Sequence, residues 1–329
     1  MRKFILNILI FSLPIILSGY CIDRFISNNL RKSNSHAQKE YPTWNAIIDG
    51  KLDAEILVYG SSRAWVHFDP KIIKDSLNQT VYNLGMDGHT LNLQYLRHLL
   101  AIKYNPKPKL IIHSVDIGTI SMGNLYNEDQ FLPYMLWDDT FYNYMSKYEG
   151  YSYFDYKIPL IRYYGKLDAL KTSIKMIAFP KSNLIERVKG YQGQNIPWNN
   201  DFDKAKKTMK KYLAEPDSLT LNLFDNYLKE CKEQNIKVIL VYSPYYIEGQ
   251  KFIENQKQII NIYKTLAHKY DFDLFDFTND EICFDKKYFY NASHMNLTGA
   301  EIFTRKLCGQ IKSTNAQQAF GKKAGSVVK

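Results

Sequence analysis

The first apolar run, from Phe4 to Ile22, carries no charge and follows Arg2 and Lys3. It is about as long as a membrane-spanning helix needs to be. Its basic N-terminal flank predicts that this end stays in the cytoplasm. A cleaved signal peptide would leave a small-x-small site after the run, and none is evident. Leu17-Ser18-Gly19-Tyr20-Cys21 comes near a lipoprotein box, but Tyr20 stands where a small residue belongs. We therefore expect an uncleaved transmembrane signal-anchor over residues 1–22, with the remainder outside the cytoplasm, on the periplasmic side. Residues 23–50 are polar and mixed, and read as a juxtamembrane stalk leading into a helix near 41–49.

Beyond this point the pattern changes period. Short, continuous apolar runs rich in β-branched residues occur at 55–59, 80–84, 109–113, 237–242 and 272–276, each closed by glycine, proline or a polar residue. Such runs predict buried strands. Between them lie stretches with helical spacing, at 91–104, 221–234 and 252–270, and a last one at 297–311. Strands alternating with helices imply a parallel sheet covered on both faces. The expected fold is α/β, a flavodoxin-like three-layer arrangement over residues 51–312. A long insertion, 118–218, separates strands three and four. It is rich in Tyr, Trp and Pro, as expected of a lid or binding surface. The tail, 313–329, is small, polar and basic, and reads as disordered.

Composition changes this picture little. The chain has 43 Lys and Arg against 33 Asp and Glu, a net charge of +10. The basic residues are scattered, and the densest run, Lys204 to Lys211, has the spacing of a solvated helix face. No basic-aromatic module of a nucleic-acid binder is present. The 26 tyrosines suit cores, interfaces and sugar-stacking surfaces alike. Cys21, Cys231, Cys283 and Cys308 show no metal spacing. A Cys283–Cys308 disulfide is conceivable, but free buried thiols are the expectation. His36, His67, His89, His98 and His268 show no paired spacing either, and read mostly as surface residues. No phosphate-binding glycine loop occurs, so no metal or cofactor is expected.

Candidate chemistry lies at the C-terminal ends of the strands, where open α/β sheets bind ligands. Gly60-Ser61-Ser62-Arg63 ends the first strand, and Asn83-Leu84-Gly85-Met86-Asp87-Gly88 ends the second. Asn291-Ala292-Ser293-His294-Met295-Asn296-Leu297-Thr298-Gly299 precedes the last helix. Each alone is a common turn or cap. Together, their order resembles the SGNH (GDSL-like) hydrolases, over roughly residues 53–311 apart from the insertion. In that family the first block is Gly-Asp-Ser, which aligns Ser62 with the nucleophile and makes its N–H an oxyanion donor. The second block supplies a glycine N–H, which would be that of Gly85. The last is Asp-x-x-His followed by Asn-x-x-Gly, which aligns His294 with the catalytic base and Asn291 with the residue that orients it.

Two departures stand out. The third strand ends in His113-Ser114-Val115-Asp116, without the family's oxyanion asparagine. Removal of one such donor costs about a hundredfold or more. Asn291 replaces the triad aspartate, a change that in a serine triad favours the wrong imidazole tautomer and costs on the order of ten-thousandfold. Asp280, Glu281, Asp285 or a backbone carbonyl could orient His294 instead. Arg63 would bind an anionic group or form an ion pair on the first helix. Tyr245 and Tyr246 would line the rim, and His113 and Asp116 would support the cleft. The resemblance and the predicted anchor together imply an extracytoplasmic serine esterase or O-acyltransferase acting on acylated glycans of the cell envelope or surface. The alternatives are a catalytically silent glycan-binding or assembly protein of the same fold, and a scaffold that uses the Tyr-rich insertion as an interface.

Overall fold

The computed structural model describes residues 2–179 and 187–314. In chain order its main elements are α1 Arg2–Leu30, α2 Tyr41–Ile48, β1 Ile56–Gly60, α3 Ser62–His67, α4 Pro70–Leu77, β2 Val81–Asn83, α5 Leu91–Tyr104, β3 Leu110–Ser114, α6 Asp139–Met145, α7 Tyr153–Lys157, α8 Leu167–Ala178, α9 Asp201–Thr208, α10 Ser218–Glu233, β4 Lys237–Tyr242, α11 Ile247–Phe252, α12 Gln256–Lys269, β5 Asp273–Asp276 and α13 Leu297–Ser313. They form two compact units. One joins residues 1–48 to 124–186, and the other joins 49–123 to 187–329.

The larger unit is the expected α/β layer structure. Five strands pair in parallel in the order β2-β1-β3-β4-β5. β1 and β3 are buried along their whole length, and β4 from its second residue. This explains why they read as continuous rather than alternating apolar runs. One face of the sheet (Ile56, Val58, Ile112, Ile239, Val241) packs on Phe68, Ile73, Phe303, Leu307 and Ile311 of the α3–α4 region and α13. The register sets Gly60 opposite Ser114, and Ser114 opposite Val241. The strand ends therefore finish level. β1 has β2 on one side and β3 on the other, so the chain reverses its direction of travel across the sheet at the C-terminal end of β1. That switch point is where such sheets leave a crevice.

Local chemistry sets the boundaries. Asp69 caps α4 by accepting the N–H groups of Lys71 and Ile72, and Pro70 fills its first position. The sequence pattern missed this helix because it is short, whereas α3 is the helix expected to carry Arg63. Asn296 caps α13 through Gly299 N–H at 3.1 Å. Cys231, Cys283 and Cys308 are buried free thiols.

The smaller unit corrects the expected stalk. α1 runs on to Leu30 without a break, and Asp23, Ser27 and Leu30 are fully buried against the insertion. Arg162 donates to both carboxylate oxygens of Asp23 at 2.7 Å and to Ser27 Oγ at 3.1 Å. Leu160 N–H adds a bond to the same carboxylate at 2.8 Å. Trp44 of α2 donates to Gln130 at 3.0 Å within a cluster holding Phe131, Tyr134 and Phe141. The insertion is thus divided: its first part builds this unit with the N-terminus, and residues from 187 onward return to the sheet. The sequence could not show this because the partners are distant in the chain. The tail expected to be disordered lies, from residue 315, outside the described residues.

Candidate active site

Ser62 opens α3 directly after β1. The strand must turn sharply there, and Gly60 makes the turn with φ +139°; a Cβ on it would stand 2.6 Å from Ser114 O. Only glycine fits that conformation and that approach. Ser61 follows, and its hydroxyl donates to Asp116 Oδ2 at 2.6 Å. Asp116 is fixed in turn by Gly118 N–H at 2.8 Å and the Thr119 hydroxyl at 3.3 Å, and its carbonyl accepts from Tyr263 at 2.6 Å. The carboxylate on which Ser61 anchors thus comes from the end of β3.

Ser62 Oγ lies 2.8 Å from His294 Nε2, across 232 positions of sequence. Both side chains are half-buried. His294 Nδ1 lies 3.0 Å from Asn291 Oδ1 and 3.0 Å from Ser293 Oγ. The amide orientation of Asn291 is dictated locally. Its Oδ1 accepts the backbone N–H groups of Ser293 at 3.1 Å and His294 at 2.9 Å, and the Ser293 hydroxyl at 3.3 Å. A flipped amide would point its NH₂ at those donors. With oxygen facing Nδ1, the imidazole carries its proton there and leaves the Nε2 lone pair for Ser62. The wrong-tautomer expectation for Asn291 is thereby corrected: an Asx turn holds the amide as an acceptor.

The acidic stand-ins do not reach His294. Asp280 and Glu281 both pair with Lys306, and Asp285 pairs with Lys287. Burial pushes the His294 pKa down to about 4, with the Arg63 guanidinium pushing the same way and the Asp116 and Asp201 carboxylates opposing. At neutral pH the imidazole is uncharged, as a general base must be.

The loop carrying His294 is tied at several points. Tyr246 N–H donates to Ala292 O at 3.0 Å, Tyr290 N–H to His294 O at 3.0 Å, and Met295 N–H to His67 Nε2 at 2.9 Å. The Tyr290 ring stacks on the imidazole at 5.3 Å. His67 is therefore no surface residue. It is fully buried, its Nδ1 lies 3.0 Å from Ser243 Oγ, and burial holds its pKa well below the ordinary value. His89 and His98 are buried too. His67 sits one turn and a half beyond Ser62 on α3, and that spacing was the only sequence signal for its role.

The other predicted residues divide. Arg63 is buried and forms no ion pair among the described residues. It donates to Ser243 O, Ser243 Oγ and Pro244 O, and it lies 3.7 Å over the Tyr245 ring. Arg63 and Tyr245 thus brace the end of β4 from beneath rather than line a rim. Tyr246 is half-buried against Trp198. His113 is enclosed by Tyr227 and Gln94, away from Ser62's partners. Gly85 N–H donates to Asn83 Oδ1 at 2.9 Å. Asn83 has no freedom to release it easily, since its NH₂ is held by Ala64 O at 2.8 Å and Phe68 O at 2.9 Å. The oxyanion assignment of Gly85 therefore meets a donor already engaged. Ser62 N–H sits in the first turn of α3, where a helix offers no internal acceptor.

No family model matches the chain, and no curated protein does. Solved structures do resemble it. One is an acetyl xylan esterase, at 12% identity, covering 78% of this chain and 98% of that one, with a TM-score of 0.39. Another is a GDSL-like lipase from Bacteroides thetaiotaomicron, at 12% identity, covering 83% and 97%, with a TM-score of 0.36. A third is an α/β hydrolase enzyme from the metagenome of Lake Arreo, Spain, at 11% identity, covering 81% and 96%, with a TM-score of 0.39. At this distance the functional reading has to come from the side chains described above.

Proposed function

We propose that the chain is an SGNH-type serine esterase or O-acyltransferase acting on acyl esters of cell-envelope or surface polysaccharide, held at the membrane by α1 with the larger unit outside the cytoplasm. The observation that carries this reading is the hydrogen-bond chain from Ser62 Oγ through His294 to Asn291 Oδ1. His294 Nε2 takes the Ser62 proton as Oγ attacks the ester carbonyl. The imidazolium then gives that proton to the departing alcohol. Water or a sugar hydroxyl, deprotonated by the same nitrogen, accepts the acyl group from Ser62. Ser62 N–H supports the oxyanion at the α3 N-terminus. The glycan substrate rests on the resemblance and on the predicted location outside the cytoplasm.

A second reading has one specific observation in its favour. The Gly85 N–H is engaged by Asn83, as suits a protein that keeps the cleft and binds glycan without cleaving it. The two are separated by p-nitrophenyl acetate hydrolysis with the full-length chain in detergent, beside Ser62→Ala and His294→Ala. The esterase reading expects each variant to lose on the order of ten-thousandfold or more in kcat. Turnover that survives Ser62→Ala, or a wild-type rate at background for both aryl acetates and acetylated polysaccharide, overturns it.

A further inference from the structure

The smaller unit leaves an amphipathic helix half covered. On α8, Ala169, Ser173 and Met176 are buried, while the neighbouring apolar arc bears Leu167, Ile174 and Ile177 at 64%, 66% and 50% exposure. Lys171 and Lys175 stand on the exposed arc beyond it. Phe154, Ile158 and Ile161, from the segment leading to α8, are exposed as well. A soluble surface seldom presents so many large apolar groups together.

α8 packs beside α1, the one described helix long and apolar enough to cross a membrane. Ser173 donates to Ile26 O at 3.1 Å, Tyr20 to Lys157 O at 3.4 Å, and Pro159 abuts Gly19. The insertion therefore grips α1 from Gly19 onward. The free part, Phe4 to Ser18, rises only about 22 Å at about 1.5 Å per residue. A bilayer core is about 30 Å thick. A span that satisfies this thickness must include the turns of α1 already flanked by the insertion, which brings the insertion's apolar face into the outer leaflet. The one charge pair buried there suits that position. Asp23 and Arg162 are wholly enclosed and joined by two bonds, so this pair presents no charge to lipid, while the exposed Arg24 beside it lies over the Trp137 ring. Tyr20 and Trp137 are both exposed and meet edge to face at the start of the gripped part of α1, as aromatic residues do at a headgroup boundary. Lys171 and Lys175 are placed to meet anionic headgroups.

We propose that this unit is a foot embedded in one leaflet. α8 and the segment before it lie in the outer lipid layer beside α1, and the occupant of the exposed face is phospholipid. The proposal rests on α1 being a membrane anchor.

The test uses the full chain in nanodiscs of phosphatidylcholine and phosphatidylglycerol. Single nitroxide labels are placed at Leu13→Cys, Ile174→Cys and Lys175→Cys in a Cys21→Ser background, where the remaining cysteines are buried. Relaxation by oxygen, which concentrates in lipid, is compared with relaxation by a water-soluble nickel chelate. We expect the oxygen-to-nickel ratio at Ile174 to match that at Leu13 and to exceed that at the adjacent Lys175 several-fold. Leu13 in lipid with Ile174 and Lys175 equally in water would overturn the foot and leave the anchor standing. Leu13 in water would remove the anchor and the foot together. Ile174 shielded from both reagents would show that a protein surface covers the face, which also overturns the proposal.

Discussion

Replacing Asn291 by Asp tests the geometry of the proposed base most directly. The substitution keeps an acceptor for the Ser293 and His294 N–H groups and adds a negative charge 3.0 Å from His294 Nδ1. An opposite charge this close raises an imidazole pKa by roughly 1–3 units. The His294 value, about 4 in the wild type, should therefore rise to roughly 5–7. The base works in its neutral form, so kcat/KM climbs with pH through this pKa and is level above it. The acid limb of the profile should move upward by the size of the shift. The plateau should gain on the order of tenfold, since only part of a basicity change reaches the transition state. The assay is kcat/KM for p-nitrophenyl acetate across the acid and neutral range, beside an NMR titration of His294. A limb that stays in place would show that Asn291 does not touch the working base. A gain near ten-thousandfold would show that the wild-type imidazole is held in the wrong tautomer, contrary to the oxygen-facing amide described above.

Three further outcomes follow from the same contacts. Gly60→Ala should cost about 3 kcal/mol or more, because it combines a strained φ with a Cβ forced against Ser114 O; urea denaturation within 1 kcal/mol of wild type, on the order of a single mild surface change, would contradict this. Ser61→Asp, which writes the Gly-Asp-Ser block of the SGNH hydrolases into this chain, should destabilise it, because the new carboxylate meets Asp116; Asp116→Ser should rescue it, and a stable single variant would refute the contact between the two side chains. Burial lowers the His98 and His113 pKa values from 6.5 to about 3. The unfolded chain therefore binds the extra protons, and their contribution to stability is complete above pH 6.5 and lost as pH falls toward 3. At pH 5 each should contribute about 2 kcal/mol less than at neutrality. Denaturation midpoints independent of pH in this window would exclude neutral burial of the pair.

Much of the layer structure was legible because buried parallel strands announce themselves as short apolar runs between helical periods. β1 to β5 fall within a residue or two of the runs that predicted them. The meeting of Ser62 and His294 was legible through the order of their motifs along the chain. What the sequence hid was direction and partnership. Asn291 looked like a damaged acid because its amide orientation depends on two backbone N–H groups, which no composition pattern reveals. Gly85 looked like a free oxyanion donor because the bond its N–H gives to Asn83 Oδ1 is a three-dimensional fact. His67 passed as a surface residue because its acceptor role involves a main-chain N–H 228 positions away. The stalk was misread because Asp23 and Ser27 look polar and solvated until Arg162 is placed beside them.

That last pairing has a consequence for the way the chain is made. Asp23 and Arg162 are 139 positions apart. At ordinary ribosomal speeds of about 5–20 residues per second, roughly 7–28 s separate their emergence. Throughout that interval a carboxylate sits at the end of an apolar helix without its guanidinium, while β1, β2 and β3 have already been synthesised. If α1 is the anchor proposed above, the nascent chain must keep Asp23 hydrated near the headgroups. The arrival of Arg162 would then act as a timed latch that lets α1 settle to its final depth. Slowing translation between β3 and α8 should lengthen the lifetime of that shallow state.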